Sequence, residues 1–241
     1  MTAFFRPIAC SLLAAMSLAT GLPAWAADPV TDAMQQAYGP YRAALFKTNS
    51  GSAAESQQAV TQAQTSWAQI VKQFGSKPAA PYDRDTRFAA SLSEVTAVYA
   101  KAAEEIGRNQ LAAAHETLER ARDVMAEMRQ RNNIVVFSDY MNAYHAQMEH
   151  VLVEGAKLFD QPKGLLQLTA QVGVLEYLAA QLGTQAPASQ ASDPEFVAAL
   201  KVVQQSVAEL KAALLAQDPV AVKAAIGKIK GPYSKMFLKF G

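Results

Sequence analysis

Leu111-Ala112-Ala113-Ala114-His115-Glu116-Thr117-Leu118-Glu119-Arg120-Ala121-Arg122-Asp123-Val124-Met125-Ala126-Glu127-Met128 is the stretch whose reading decides the fold. Its apolar residues Leu111, Ala114, Leu118, Ala121, Met125 and Met128 recur at three-and-four spacing, which at 100° per residue lays them along one buried stripe of a helix. Charged residues fill the opposite side. The same pattern recurs in Leu168, Val172, Leu175, Ala179 and Leu182, and again in Phe196, Leu200, Val203, Val207, Leu210 and Leu214. Strict apolar/polar alternation, the mark of a half-buried strand, is missing, and the helix formers Ala and Gln are abundant. The class is all-α.

Helix starts are written in the sequence as well. Asp28-Pro29, Asp193-Pro194 and Asp218-Pro219 each join an N-cap acceptor to a proline at the first helical position, where the missing N–H costs nothing. Gly75 to Pro81 and Gly183 to Gln190 read as linkers, and Gly107-Arg108-Asn109 and Arg131-Asn132-Asn133 as tight turns. The spacing predicts helices over 29–47, 53–74, 85–106, 109–131, 138–159, 164–182, 194–216 and 219–240, the last with a break at Gly231-Pro232. Seven or eight helices joined by short turns make an antiparallel bundle built from αα-hairpins. Residues 27–183 are expected to form the main bundle, with 184–241 a C-terminal helical section packed on it. A weak internal echo links Gly39-Pro40-Tyr41 to Gly231-Pro232-Tyr233.

The first 26 residues read as an export signal. Arg6 precedes an apolar run from Ile8 to Leu18, helix breakers follow at Gly21 and Pro23, and Ala24-Trp25-Ala26 supplies the small-residue cleavage site. The expected location is the bacterial periplasm. No later segment offers the roughly 20 apolar residues a membrane helix requires. The lone cysteine, Cys10, leaves with the signal, so no disulfide, thiolate metal site or nucleophilic thiol is expected in the mature chain. The remaining residues carry 21 basic and 21 acidic side chains. A neutral balance gives no long-range attraction to nucleic acid. The lysines at 223, 228, 230, 235 and 239 are the local exception and read as a solvated helix face.

Chemistry has few places to reside. The chain has three histidines, and two lie in Met141-Asn142-Ala143-Tyr144-His145-Ala146-Gln147-Met148-Glu149-His150. Helix geometry aligns Met141 and Met148, sets His145 near that line with Glu149 one turn on, and turns His150 the opposite way. If 109–131 and 138–159 form an antiparallel hairpin, residues whose numbers sum to roughly 268 lie level. Met125 and Met128 then join Met141 and Met148 around His145. Thioethers with an imidazole form a donor set for Cu(I) or Ag(I), because soft ligands select soft ions. The metal reading therefore names His145, Met141, Met148, Met125 and Glu149, with copper as cofactor. The other reading keeps the methionines as plain core and the histidine as a satisfied core residue.

Two His-x-x-x-Glu spacings, His115 with Glu119 and His145 with Glu149, resemble half of a di-iron carboxylate bundle in reversed order. The hairpin register separates the two histidines by about 12 Å of axial rise, too far for one shared ion. It also sets Glu149 near Arg122 as an ordinary ion pair. A His-Met haem site using Met34 has no support from spacing. Phosphate loops, nucleophile elbows, His-Glu-x-x-His and calcium loops are all missing. The expectation is a non-enzymatic, exported helical protein that binds a metal ion or another envelope protein, the second case being an interaction scaffold.

Overall fold

The computed structural model describes residues 28–158 and 161–241. The export signal read at residues 1–26, with Cys10, lies outside the described residues. The α-helices are α1 (Pro29–Ser50), α2 (Ala53–Phe74), α3 (Phe88–Gly107), α4 (Leu111–Arg131), α5 (Phe137–Leu158), α6 (Gly164–Thr184), α7 (Ala188–Ala191), α8 (Pro194–Leu215), α9 (Pro219–Ile226) and α10 (Lys230–Phe240), with a 3-10 turn at Tyr82–Arg84. Among the described residues there is no strand, and the all-α bundle is what the stripes predict.

All three aspartate-proline starts act as caps. Asp28 Oδ1 accepts from the Thr31 N–H at 2.7 Å, Asp193 Oδ1 from Glu195 at 2.8 Å, and Asp218 Oδ1 from both Val220 and Ala221 at 3.0 and 3.1 Å. Each removes an N–H that the first turn of a helix leaves without an internal partner. The two predicted tight turns hold asparagine in the left-handed region, Asn109 at φ 59° and Asn133 at φ 57°, a conformation that asparagine tolerates better than most residues. α3 starts at Phe88, three residues later than the spacing suggests, because the 3-10 turn at Tyr82–Arg84 is followed by a further turn closed by the Phe88 N–H on the Asp85 carbonyl. The last predicted helix breaks at Gly227 to Ile229 instead of Gly231-Pro232. Pro232 falls in the first turn of α10, where its missing N–H leaves nothing unpaired. Part of the linker read at 183–190 is helical, as the end of α6 and the start of α7.

α1 pairs with α2, α2 with α3, α3 with α4, and α4 returns to α1, which closes the first half of the molecule. The second half runs α5 to α6 to α8 to α9. α10 then folds back against α8, α1 and α5. One apolar cluster runs through both halves, from Val30 and Met34 in α1 to Met236 and Phe240 in α10. Trp67 anchors the first half: its ring is buried, its N–H donates to the Leu92 carbonyl at 3.0 Å, and it makes a T-shaped contact with Tyr99. An indole whose only polar atom is satisfied contributes its full apolar area.

α4 and α5 do not pack on each other as the expected hairpin, because α4 lies against α3 and α1 and α5 against α6; the two run level all the same. Long side chains make the bridge. Arg129, fully buried, donates from Nε to Asp139 Oδ2 at 3.1 Å and from Nη2 to Oδ1. Seven residues earlier on α4, Arg122 reaches His145. Both pairs fall at the level the hairpin register predicts.

Candidate functional site

His145 is set by what touches its two nitrogens. Nδ1 lies 2.7 Å from Arg122 Nη1, and a guanidinium can only donate, so Nδ1 accepts and the ring proton sits on Nε2. That Nε2–H faces Glu149 Oε1 at 3.5 Å and Glu119 Oε1 at 3.9 Å. Tyr233 of α10 stacks on the ring with centroids 5.5 Å apart and planes only 8° from parallel. The phenol of Tyr233 is fixed in turn by donation to the Met141 carbonyl at 2.9 Å. Hydrogen bonding from His145, followed by that of Lys230, holds the Glu149 carboxyl down at about 2 against the opposing effect of burial.

His115 carries the opposite tautomer. Its Nδ1 lies 3.0 Å from the Leu45 carbonyl, an acceptor only, and 3.2 Å from Thr48 Oγ1, whose own proton goes to the Ala44 and Leu45 carbonyls, so Nδ1 bears the proton and Nε2 presents a lone pair. Burial lowers its pKa below the ordinary 6.5, with Glu119 opposing. The Nε2 lone pair faces Glu119 Oε1 at 3.7 Å. Glu119 is steadied through its other oxygen, which accepts from Arg122 Nη2 at 3.2 Å. Arg122 thus positions both Glu119 and His145, and a third bond from its Nε to Asp123 completes its fork.

These groups open onto one cavity between α1, α4, α5 and α10. Its walls are Leu45, Phe46 and Asn49 from α1, His115 and Glu119 from α4, His145 from α5, and Lys230, Tyr233, Ser234 and Phe237 from α10. The inner space is about 40 Å³. Lys230 Nζ stands at the rim, 3.0 Å from Glu149 Oε1.

The structure rearranges the cluster that the spacing suggests. His145 and Glu149 meet, at 3.5 Å. Met125, Met128, Met141 and Met148 are all buried core residues, and no methionine lines the cavity that His145 faces. An arginine and a tyrosine hold the imidazole where the register suggests thioethers. The expected Glu149–Arg122 pair is replaced by Glu149–Lys230 and Arg122–Glu119, because α10 delivers an ammonium to Glu149 while Arg122 turns to a carboxylate on its own helix. The two histidines, although separated along the axis, both line the cavity, since Glu119 lies one turn beyond His115 and stands between them. His150 is exposed, as its angle on the helix requires. Among the described residues, no group of three or more His, Cys, Asp or Glu side chains is arranged to hold a metal ion.

Lys230 and Tyr233 are the site residues that spacing does not find. The Gly-Pro-Tyr echo is the available signal: both of its tyrosines are buried, Tyr41 in α1 and Tyr233 in α10, and Arg122 influences the titration of each. No family model, curated protein or solved structure matches this chain.

Proposed function

We propose that the chain is a non-enzymatic binding protein of the bacterial envelope that holds a small ligand in the cavity between α1, α4, α5 and α10. One observation carries the reading: two imidazoles in opposite tautomers and a carboxylate, drawn from two helices, face one cavity beside aromatic walls. Concave sites with mostly apolar walls and a few converging polar groups are the usual form of small-molecule pockets. The charges around it are already balanced, Arg122 and Lys230 against Glu119 and Glu149, which suits recognition better than proton transfer. Export to the periplasm belongs to the same proposal and rests on the Ala24-Trp25-Ala26 cleavage pattern; protein recovered from the periplasm should begin at Ala27.

The soft-metal version assigns Cu(I) to His145, Met141, Met148 and Met125 with Glu149 close by. Burial of the three thioethers in the core and the arginine on His145 Nδ1 favour the cavity over that ligand set. The test is a titration series followed by histidine side-chain NMR, with a small-molecule library in one arm and Cu(I) under reducing conditions in the other. Library members that shift His115 and His145 together support the cavity. Stoichiometric Cu(I) uptake lost in His145→Ala supports the metal set. Silence of both histidines in both arms rejects ligand binding here. A scaffold reading is favoured by Leu166, Val174 and Tyr177, large apolar residues left exposed on α6. It expects Tyr177→Lys to abolish self-association or partner capture without altering the cavity.

A further inference from the structure

We infer that the ligand of this cavity carries a protonated amine, held between His115 Nε2 and Glu119 Oε1. The inference rests on the cavity being a binding site, and it adds the chemical class.

Hydrogen-bond polarity supplies the argument. Because the Leu45 carbonyl takes the Nδ1–H of His115, Nε2 can only accept; Glu119 Oε1 is a carboxylate oxygen and also only accepts. Two acceptors 3.7 Å apart make no bond to each other. They are complementary to a group with at least two N–H donors and a positive charge. Both acceptors are held from behind, His115 by Leu45 and Glu119 by Arg122, so neither must be reorganised to bind.

Size and walls then separate an amine from a metal ion. The inner space of about 40 Å³ compares with roughly 10–15 Å³ needed by one water, so it takes a head group of two or three heavy atoms. Phe46, Tyr233 and Phe237 add aromatic surface, which attracts cations and covers apolar carbon. A bound ion of the zinc type would want a third and fourth protein donor. His145 lies 3.9 Å from the same Glu119 oxygen, but its lone pair is on Nδ1 and turned to Arg122, and no group of three or more His, Cys, Asp or Glu side chains among the described residues is arranged to hold a metal. Lys230 is the natural antagonist: its ammonium stands at the rim and occupies Glu149, raising the local positive potential against an incoming cation.

The experiment is calorimetric titration of the chain with n-butylammonium at neutral pH, beside 1-butanol, butyrate and Zn²⁺. Saturable binding of n-butylammonium, with 1-butanol and butyrate at least tenfold weaker, is expected. Glu119→Gln should weaken the amine at least tenfold, and Lys230→Met should tighten it severalfold. A gain of affinity cannot arise from misfolding, so Lys230→Met guards the test against a damaged Glu119 variant. Absence of n-butylammonium binding, or weaker binding in Lys230→Met, overturns the inference. If butyrate or 1-butanol shifts both histidines while the amine does not, the cavity remains a binding site and the amine assignment falls. Saturation by Zn²⁺ alone also overturns it, in favour of a metal.

Discussion

At the residue scale, the proton positions on two imidazoles are the sharpest statement the structure makes. Long-range ¹H–¹⁵N correlation at pH 7.5 should show His145 as the Nε2–H tautomer and His115 as Nδ1–H, and one common tautomer would contradict the hydrogen bonds to Arg122 and Leu45. Their neighbour Glu149 gives a pH dependence of known sign. Its carboxyl is held at about 2, chiefly by the His145 hydrogen bond, against an ordinary 4.5. A depressed acid stabilises the fold fully above pH 4.5, and that stability drains away as pH falls from 4.5 toward 2. Glu149→Gln should therefore cost about 1 kcal/mol at pH 7, discounted for a carboxylate that is partly in water, and should flatten the acid limb of a denaturation series. His115 acts in the same direction at higher pH. Burial depresses its pKa, so its contribution is present above pH 6.5 and is lost as pH falls through the lowered folded value.

At the element scale, caps and side-chain bridges decide where helices begin and how they meet. Asp218→Ala removes the acceptor for two N–H groups at the start of α9 and should cost about 1 kcal/mol in chemical denaturation. Arg129→Ala is a harsher change. It strips a fully buried guanidinium from Asp139, which also accepts from the Val136 N–H, and should cost about 3 kcal/mol. Values near zero would mean that the bridge between α4 and α5 carries no stability. Most of these elements are legible in the sequence, because caps, stripes and turn asparagines act within a few residues of chain. The site is less so. Lys230 and Tyr233 reach Glu149 and His145 across more than 80 positions, and no local period encodes which face of α10 turns toward α5. The methionine cluster misleads for a related reason: thioethers on a packing stripe describe a core as well as a ligand set, and only the neighbours of His145 separate the two.

At the scale of the whole molecule, α1 and the last helix close the structure. Arg42 of α1 donates to the Phe237 carbonyl at 3.2 Å and to the carbonyl of Gly241, while Tyr233, Met236, Phe237 and Phe240 bury themselves against α1, α5 and α8. Arg42→Ala should loosen this closure and lower the thermal midpoint by a few degrees, as expected of about 1 kcal/mol in a chain of this size. Since α10 supplies four walls of the cavity, docking of that helix and occupancy of the cavity are two faces of one equilibrium. Whatever fills the cavity must slow the opening of α10, and whatever loosens α10 must weaken binding by the same factor. Amide hydrogen exchange can read that reciprocity directly. Protection of the amides in α10 should rise with ligand concentration while those of α2, which supplies none of the cavity's walls, stay unchanged, which would make the C-terminal helix a latch whose closing reports the ligand.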